Sequence, residues 1–322
     1  MAPGRRSTRA LANLRDLLAY AATKPAHDRA DRAAASALEV APDVLGLPPG
    51  VEVRWLGVAG FALTCEGTTL VIDPYVTRRP VGDLVRRRVW SSDPVLVDRH
   101  VPRADAVLLG HTHFDHALDA PAVARRDRAP VYGGASAVRL LAMHGLGELA
   151  VEVEAHRRYE IGPFTVQFVP SVHSKLLLGL SVPNGGEITC EHVESMTPQA
   201  YCCGQVWGIR IEVGGATMYH QGSADLLDDE VPAGGVDVFL CGIAGRQVTP
   251  DYLPRIVRAL DPATVVACHH DDFFRPLDGA DPGFAFGVDV ARFPEEVAAA
   301  SRSPRVVTLG RSGAGTPGTF SA

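Results

Sequence analysis

Apolar residues in this chain fall into short runs whose spacing changes once. Residues 8–22 place Leu11, Leu14, Leu17 and Leu18 at helical intervals, and residues 29–38 continue in an Ala-rich helical style until Pro42, Pro48, Pro49 and Gly50 end it. From residue 51 the pattern becomes short β-rich pieces at 51–56, 61–65 and 69–72, the last two joined by a tight Glu66-Gly67-Thr68 turn. This predicts an N-terminal helical extension and linker, 1–50, ahead of one large domain, 51–322. The leucine stripe predicts packing of the extension on that domain or on a second copy in a homo-oligomer, in preference to a membrane-surface helix.

After a loop-rich stretch, 75–102, the strand 105–109 leads to a short helix opened by Asp119 and Pro121. A strand at 131–132, a helix at 135–144, a strand at 151–154 and a hairpin around Gly162-Pro163 follow. The second half repeats the theme with strands at 207–213, 216–220, 236–240, 264–267 and 306–309 and helices at 250–260 and 294–300. Strand clusters alternating with helices in both halves fit an α/β fold of two mixed sheets packed face to face, with helices outside.

Directly after the apolar run Ala106-Val107-Leu108-Leu109 come His111-Thr112-His113-Phe114-Asp115-His116. In extended chain His111 and His113 project to the same side, and a turn after His113 would bring Asp115 and His116 to a second position. Imidazole and carboxylate are ligands for zinc and its first-row neighbours, so the hexapeptide can seed a two-metal site, whereas a polar loop has no need of that spacing. Three more polar clusters follow predicted strands: His173, the stretch from Gly222 to Asp225, and His269-His270. Four such clusters at strand ends point to one shared site.

The tract from His111 to His116 resembles the His-x-His-x-Asp-His signature of the metallo-β-lactamase superfamily. Trp55-Leu56-Gly57, Phe61, Val71-Ile72-Asp73-Pro74 and Tyr219-His220-x-Gly222 resemble its lactonase-like and phospholipase-D-like branch, over about residues 51–309. The resemblance implies an αββα sandwich and two divalent ions, zinc first, with manganese or iron also compatible. By the same resemblance His111, His113 and His173 hold one ion, Asp115, His116 and His269 the other, and Asp225 bridges; His269 is favoured over its neighbour His270, whose other place is the pocket lining. The implied reaction is hydrolysis of an ester, lactone or phosphodiester by a metal-activated hydroxide that Asp115 orients. His220 is a candidate proton donor to the leaving group or, equally, a packed histidine at a strand end. Asp73 is either a turn residue or an outer-shell partner of the ligand loop.

One departure stands out. The family reads His-x-Gly-Asp where this chain reads His220-Gln221-Gly222-Ser223-Ala224-Asp225. Either Asp225 swings back to bridge, the favoured reading because an acid near that position would lower the repulsion between two ions, or the second ion is held weakly.

The segment 174–206 is too long for a plain turn and carries Leu176, Leu177, Leu178, Leu180, Val182, Ile188 and Met196. It predicts a wall or lid for a small substrate with an apolar part, against the alternative of core completion. Composition narrows the rest: 46% hydrophobic and 21% charged residues without a transmembrane-length apolar run, and a net charge of −6 that disfavours nucleic acid. The N-terminus makes a poor signal peptide, because Arg15 and Asp16 break its apolar stretch, and the six cysteines lack scaffold spacing. A cytoplasmic enzyme with reduced thiols is expected, and no Gly-x-Ser-x-Gly elbow competes with the metal.

Overall fold

A computed structural model describes residues 3–176, 181–279, 281, 283–301 and 304–311. Strand β1 (Glu39–Val40) is followed by β2 (Glu52–Gly57), β3 (Gly60–Cys65), β4 (Thr68–Ile72), β5 (Ala106–Leu108), β6 (Val131–Gly133) and β7 (Ala150–Glu152). The second half supplies β8 (Arg158–Ile161), β9 (Phe164–Ser171), β10 (Val206–Val213), β11 (Ala216–Gln221), β12 (Val238–Gly242), β13 (Thr264–Cys268) and β14 (Arg305–Leu309). Helices are α1 (Pro3–Leu38), α2 (Val81–Val85), α3 (Pro94–His100), α4 (Phe114–Ala117), α5 (Ala120–Asp127), α6 (Ala135–Met143), α7 (Tyr252–Leu260) and α8 (Phe293–Ala300).

The strands form a six-stranded sheet, β2-β3-β4-β5-β6-β7, and an eight-stranded sheet, β1-β14-β13-β12-β11-β10-β9-β8. Both are mixed: β2, β3 and β4 pair antiparallel and β4 to β7 parallel, while β8 to β11 pair antiparallel and β11 to β14 parallel. Alternation along the strands makes the layers. Met218, Leu240 and Phe168 turn inward onto Phe61, Leu63 and Ile72 of the other sheet, whereas their neighbours Tyr219, Phe239 and Val169 turn outward to the α7 and α8 side. The outer face of the six-stranded sheet is covered by α5, α6 and the segment 75–102, which carries α2 and α3 where only a loop-rich stretch was expected, through Val123, Leu140, Leu141 and Trp90. The result is the αββα sandwich that the alternation of strands and helices predicts.

The extension is one helix, and Pro25 lies inside it, between the two helical stretches of the sequence pattern. Contacts hold the part from Lys24 onward: Arg32 makes a two-pronged pair with Asp281, Lys24 donates to the Phe284 carbonyl, and buried Asp31 accepts from Ala291 N–H. Residues 39–40 then pair in parallel with Thr308 and Leu309 at the edge of the large sheet, and Leu45 joins the core between the sheets. Leu18 is exposed; the side chains of Leu11, Leu14 and Leu17 lie outside the described residues. Among those described, no helix is long and apolar enough to cross a membrane.

Candidate metal centre

Strand β5 ends at Leu108, and the chain then runs extended to His113, which stands at the N-cap of α4 with φ −60° and ψ 153°. That turn separates the two pairs of donors as the spacing suggested. His111 Nε2 and His113 Nδ1 lie 3.1 Å apart, while Asp115 and His116 enter the first turn of α4. From the other sheet, β9 delivers His173 two residues past its end, its ring 5.0 Å from His111 and 4.7 Å from His113. Strand β13 delivers His269, whose Nε2 lies 3.3 Å from an Asp115 oxygen, with His116 Nε2 3.7 Å from the same oxygen. Two groups result, His111–His113–His173 and Asp115–His116–His269, the donor atoms of each lying within 4.8 Å of one another.

Outer partners orient the rings. Carbonyl oxygens only accept, so His113 must donate from Nε2 to Pro183 O at 2.9 Å and His173 from Nδ1 to Ser174 O at 2.7 Å. His116 gives Nδ1 to the Asp73 carboxylate at 2.8 Å. Each of these rings keeps the lone pair of its other nitrogen for the centre. Asp73 also accepts the Gly110 N–H at 2.7 Å, so its carboxylate ties down the start of the segment that carries His111 to His116. Gly222 is required beside this pair, since a Cβ there would lie 3.0 Å from the Asp73 carboxylate and 3.1 Å from His116.

The electrostatics suit a cation. Burial, with the neighbouring imidazoles His116, His113 and His173, pushes His111 well below the usual histidine range, and burial and His113 take His173 down to about 3. Burial alone would raise Asp115, but His116 and His269 hold it far below the usual carboxylate range. Burial would likewise lower His116, yet the Asp73 and Asp115 carboxylates hold it above its ordinary value. Five imidazoles and one carboxylate converging in a buried space are a donor set for zinc and its first-row neighbours, so the residues fit such ions.

Two expected members stand elsewhere. Asp225 is not brought to either group: its carboxylate takes the Leu226 N–H at 2.9 Å and Arg255 Nη1 at 3.3 Å. The bridge expected from Asp225 is therefore absent from this geometry. His220 has no exposed surface and gives Nε2 to Ala59 O at 2.9 Å, placing it behind Asp73 and His116 rather than at an open face. His270 turns away from His269 and stacks on Trp55 at 4.8 Å.

Sequence reasoning missed the supports. Arg78 and Asp271 form a fully buried ion pair at 2.9 Å. Asp271 also accepts the Val58 N–H, and Val58 O accepts the N–H of His269, which clamps that histidine's backbone at φ +58°. Asp271, two residues after His269, was the available signal. Asp119 does not cap α5 with its side chain; fully buried, it gathers Val76 N–H, Thr77 N–H and the Thr77 and Ser92 hydroxyls. In the 174–206 segment, Ile188, Met196 and Tyr201 are core residues, so much of its apolar content completes the domain. Leu176 is exposed, Val182 half-buried, and Leu177, Leu178 and Leu180 lie outside the described residues.

A four-layer sandwich with paired His/Asp triads at its strand ends defines a metal-dependent hydrolase of the metallo-β-lactamase fold. Residues 52–269 match the family described as the beta-lactamase superfamily domain, and the chain belongs to that family. It is 31% identical over 239 residues to a UPF0173 metal-dependent hydrolase of Anaeromyxobacter sp. (strain K), covering 69% of this chain and 75% of that protein. A UPF0173 metal-dependent hydrolase of Thermus thermophilus is 26% identical over 226 residues, covering 69% of this chain and 85% of the other. Among solved structures, the metallo hydrolase Igni18 of Ignicoccus hospitalis shares the fold with a TM-score of 0.50 at 18% identity, covering 83% of this chain and 96% of that one.

Proposed function

We propose that the chain is a dinuclear hydrolase that cleaves an ester, lactone or phosphodiester bond in a small, partly apolar molecule. His111, His113 and His173 hold one divalent ion, zinc in the first instance, and Asp115, His116 and His269 the other. The observation carrying this reading is the adjacency of two complete triads, with Asp115 within 3.3 Å of His269 and the rings of His111 and His116 only 3.8 Å apart. When bound, the ions polarise an acyl or phosphoryl oxygen and acidify water, which is the chemistry that hydrolysis near neutral pH needs.

The chain's own residues do the rest. Asp115, ionised and only slightly exposed, accepts a hydrogen bond from the attacking water and orients it. Asp73 and the Pro183 carbonyl fix the ring orientations of His116 and His113. His220, wholly buried, is a positioning residue in this reading, and the leaving group takes its proton from solvent. Leu176 and Val182, beside His173 and Pro183, offer the apolar contact for a substrate arm. Six free cysteines fit a reducing cytoplasm.

The test is a hydrolysis screen of metal-analysed protein against lactones, phosphodiesters and acylated amides, with His113→Ala in parallel. Turnover by the wild type, lost together with bound metal in a folded variant, is expected. Normal turnover in a metal-depleted variant would reject the centre.

A further inference from the structure

Negative charge is unevenly spread over the two triads. Asp115 is the single carboxylate among the six donors, and Asp73, bonded to His116, stands behind the same triad. The other triad holds imidazoles alone, and the outer partners of His113 and His173 are the neutral carbonyls of Pro183 and Ser174.

The two groups have no residue in common, and Asp115, the one carboxylate among their donors, belongs to the group of His116 and His269. Ser223 occupies the place between their supports. It follows Gly222, which abuts Asp73 and His116, and its hydroxyl donates to the carbonyl of Val172, the residue before His173. The nearest acid in sequence, Asp225, is held by Arg255. Divalent ions held in adjacent triads would repel each other, and a carboxylate shared between the triads would offset that repulsion.

We infer that the two triads load in sequence and unequally: the first ion binds tightly at Asp115–His116–His269, the second binds weakly at His111–His113–His173, and Ser223 keeps it weak. This rests on the dinuclear reading above and adds to it an order and a dependence on metal supply. At low free metal the chain carries one ion, and the second joins only as the concentration rises.

The experiment uses the full chain stripped of metal, titrated with Zn²⁺ against a chromophoric chelator and with Co²⁺ followed by its visible absorption. Two separate steps are expected, the first at least about 100-fold tighter, with close to one zinc per chain surviving gel filtration. His269→Ala removes the tight step, whereas His173→Ala keeps it and removes the weak one. Ser223→Asp draws the second step toward the first. Circular dichroism checks each variant's fold, and should one fail to fold, the wild-type titration and the remaining variants decide the matter. Two equal tight steps in the wild type, loss of the tight step in folded His173→Ala, or an unchanged second step in folded Ser223→Asp each overturn the inference. Absence of any bound metal instead overturns the dinuclear reading itself, so the two failures are distinguishable.

Discussion

The Asp73 carboxylate meets His116 Nδ1 at 2.8 Å with neither side chain exposed, and it closes the turn after β5 through the N–H of Gly110. One acid thus sets both the direction of a ligand ring and the path of the ligand loop. Asp73→Asn keeps an oxygen for hydrogen bonding but removes the charge. Metal affinity should fall about 10- to 100-fold, read by chelator competition, with far-ultraviolet circular dichroism unchanged. Undiminished affinity would show that the pair only fills space.

Asp225→Ala should leave metal content at the wild-type level, because that carboxylate is already bonded to Arg255 and the Leu226 N–H. The loss is a partly exposed ion pair, about 0–1 kcal/mol in a denaturant titration. A drop in bound metal would return Asp225 to the centre.

Asp271→Ala strands the Arg78 guanidinium in the interior, since both side chains are almost wholly buried. A loss of about 3–5 kcal/mol is expected by chemical denaturation. Adding Arg78→Met should recover much of it, and a single variant as stable as the wild type would refute the account.

Burial raises the Asp31 carboxyl above its ordinary value, and the Ala291 N–H offsets this only in part; its second oxygen has no partner. A raised pKa in the folded chain means that the ionised form destabilises it above that pKa. As pH falls toward the unfolded value, the native state takes the proton first and the penalty disappears. Asp31→Asn should therefore raise the melting temperature at pH 7, by about 1 kcal/mol in stability, and the advantage should shrink as the solution is acidified. Calorimetry at several pH values would expose an advantage that is constant or reversed.

The layers were legible in the sequence because period-2 alternation in pieces such as 207–213 survives whatever the chain packs against. The ligand tract was legible because its donors are consecutive. What escaped depended on partners distant in sequence. Nothing local shows that Arg255 claims Asp225, or that Asp119 serves residues 76, 77 and 92 rather than its own helix. The partners of the N-terminal helix escaped for the same reason, as Asp281, Phe284 and Ala291 hold Arg32, Lys24 and Asp31. The 174–206 segment was ambiguous in principle, since apolar residues look alike whether they line a pocket or, like Ile188 and Met196, fill a core.

Each triad draws on both sheets: His111, His113, Asp115 and His116 follow β5 in one, and His173 and His269 follow β9 and β13 in the other. Under the proposed assignment an ion in either triad is a rivet through the two halves of the sandwich. Binding that favours the assembled state stabilises it in proportion to the logarithm of free metal. Starved of metal, such a protein loses its chemistry and its resistance to unfolding together, so proteolysis would clear the idle molecules first.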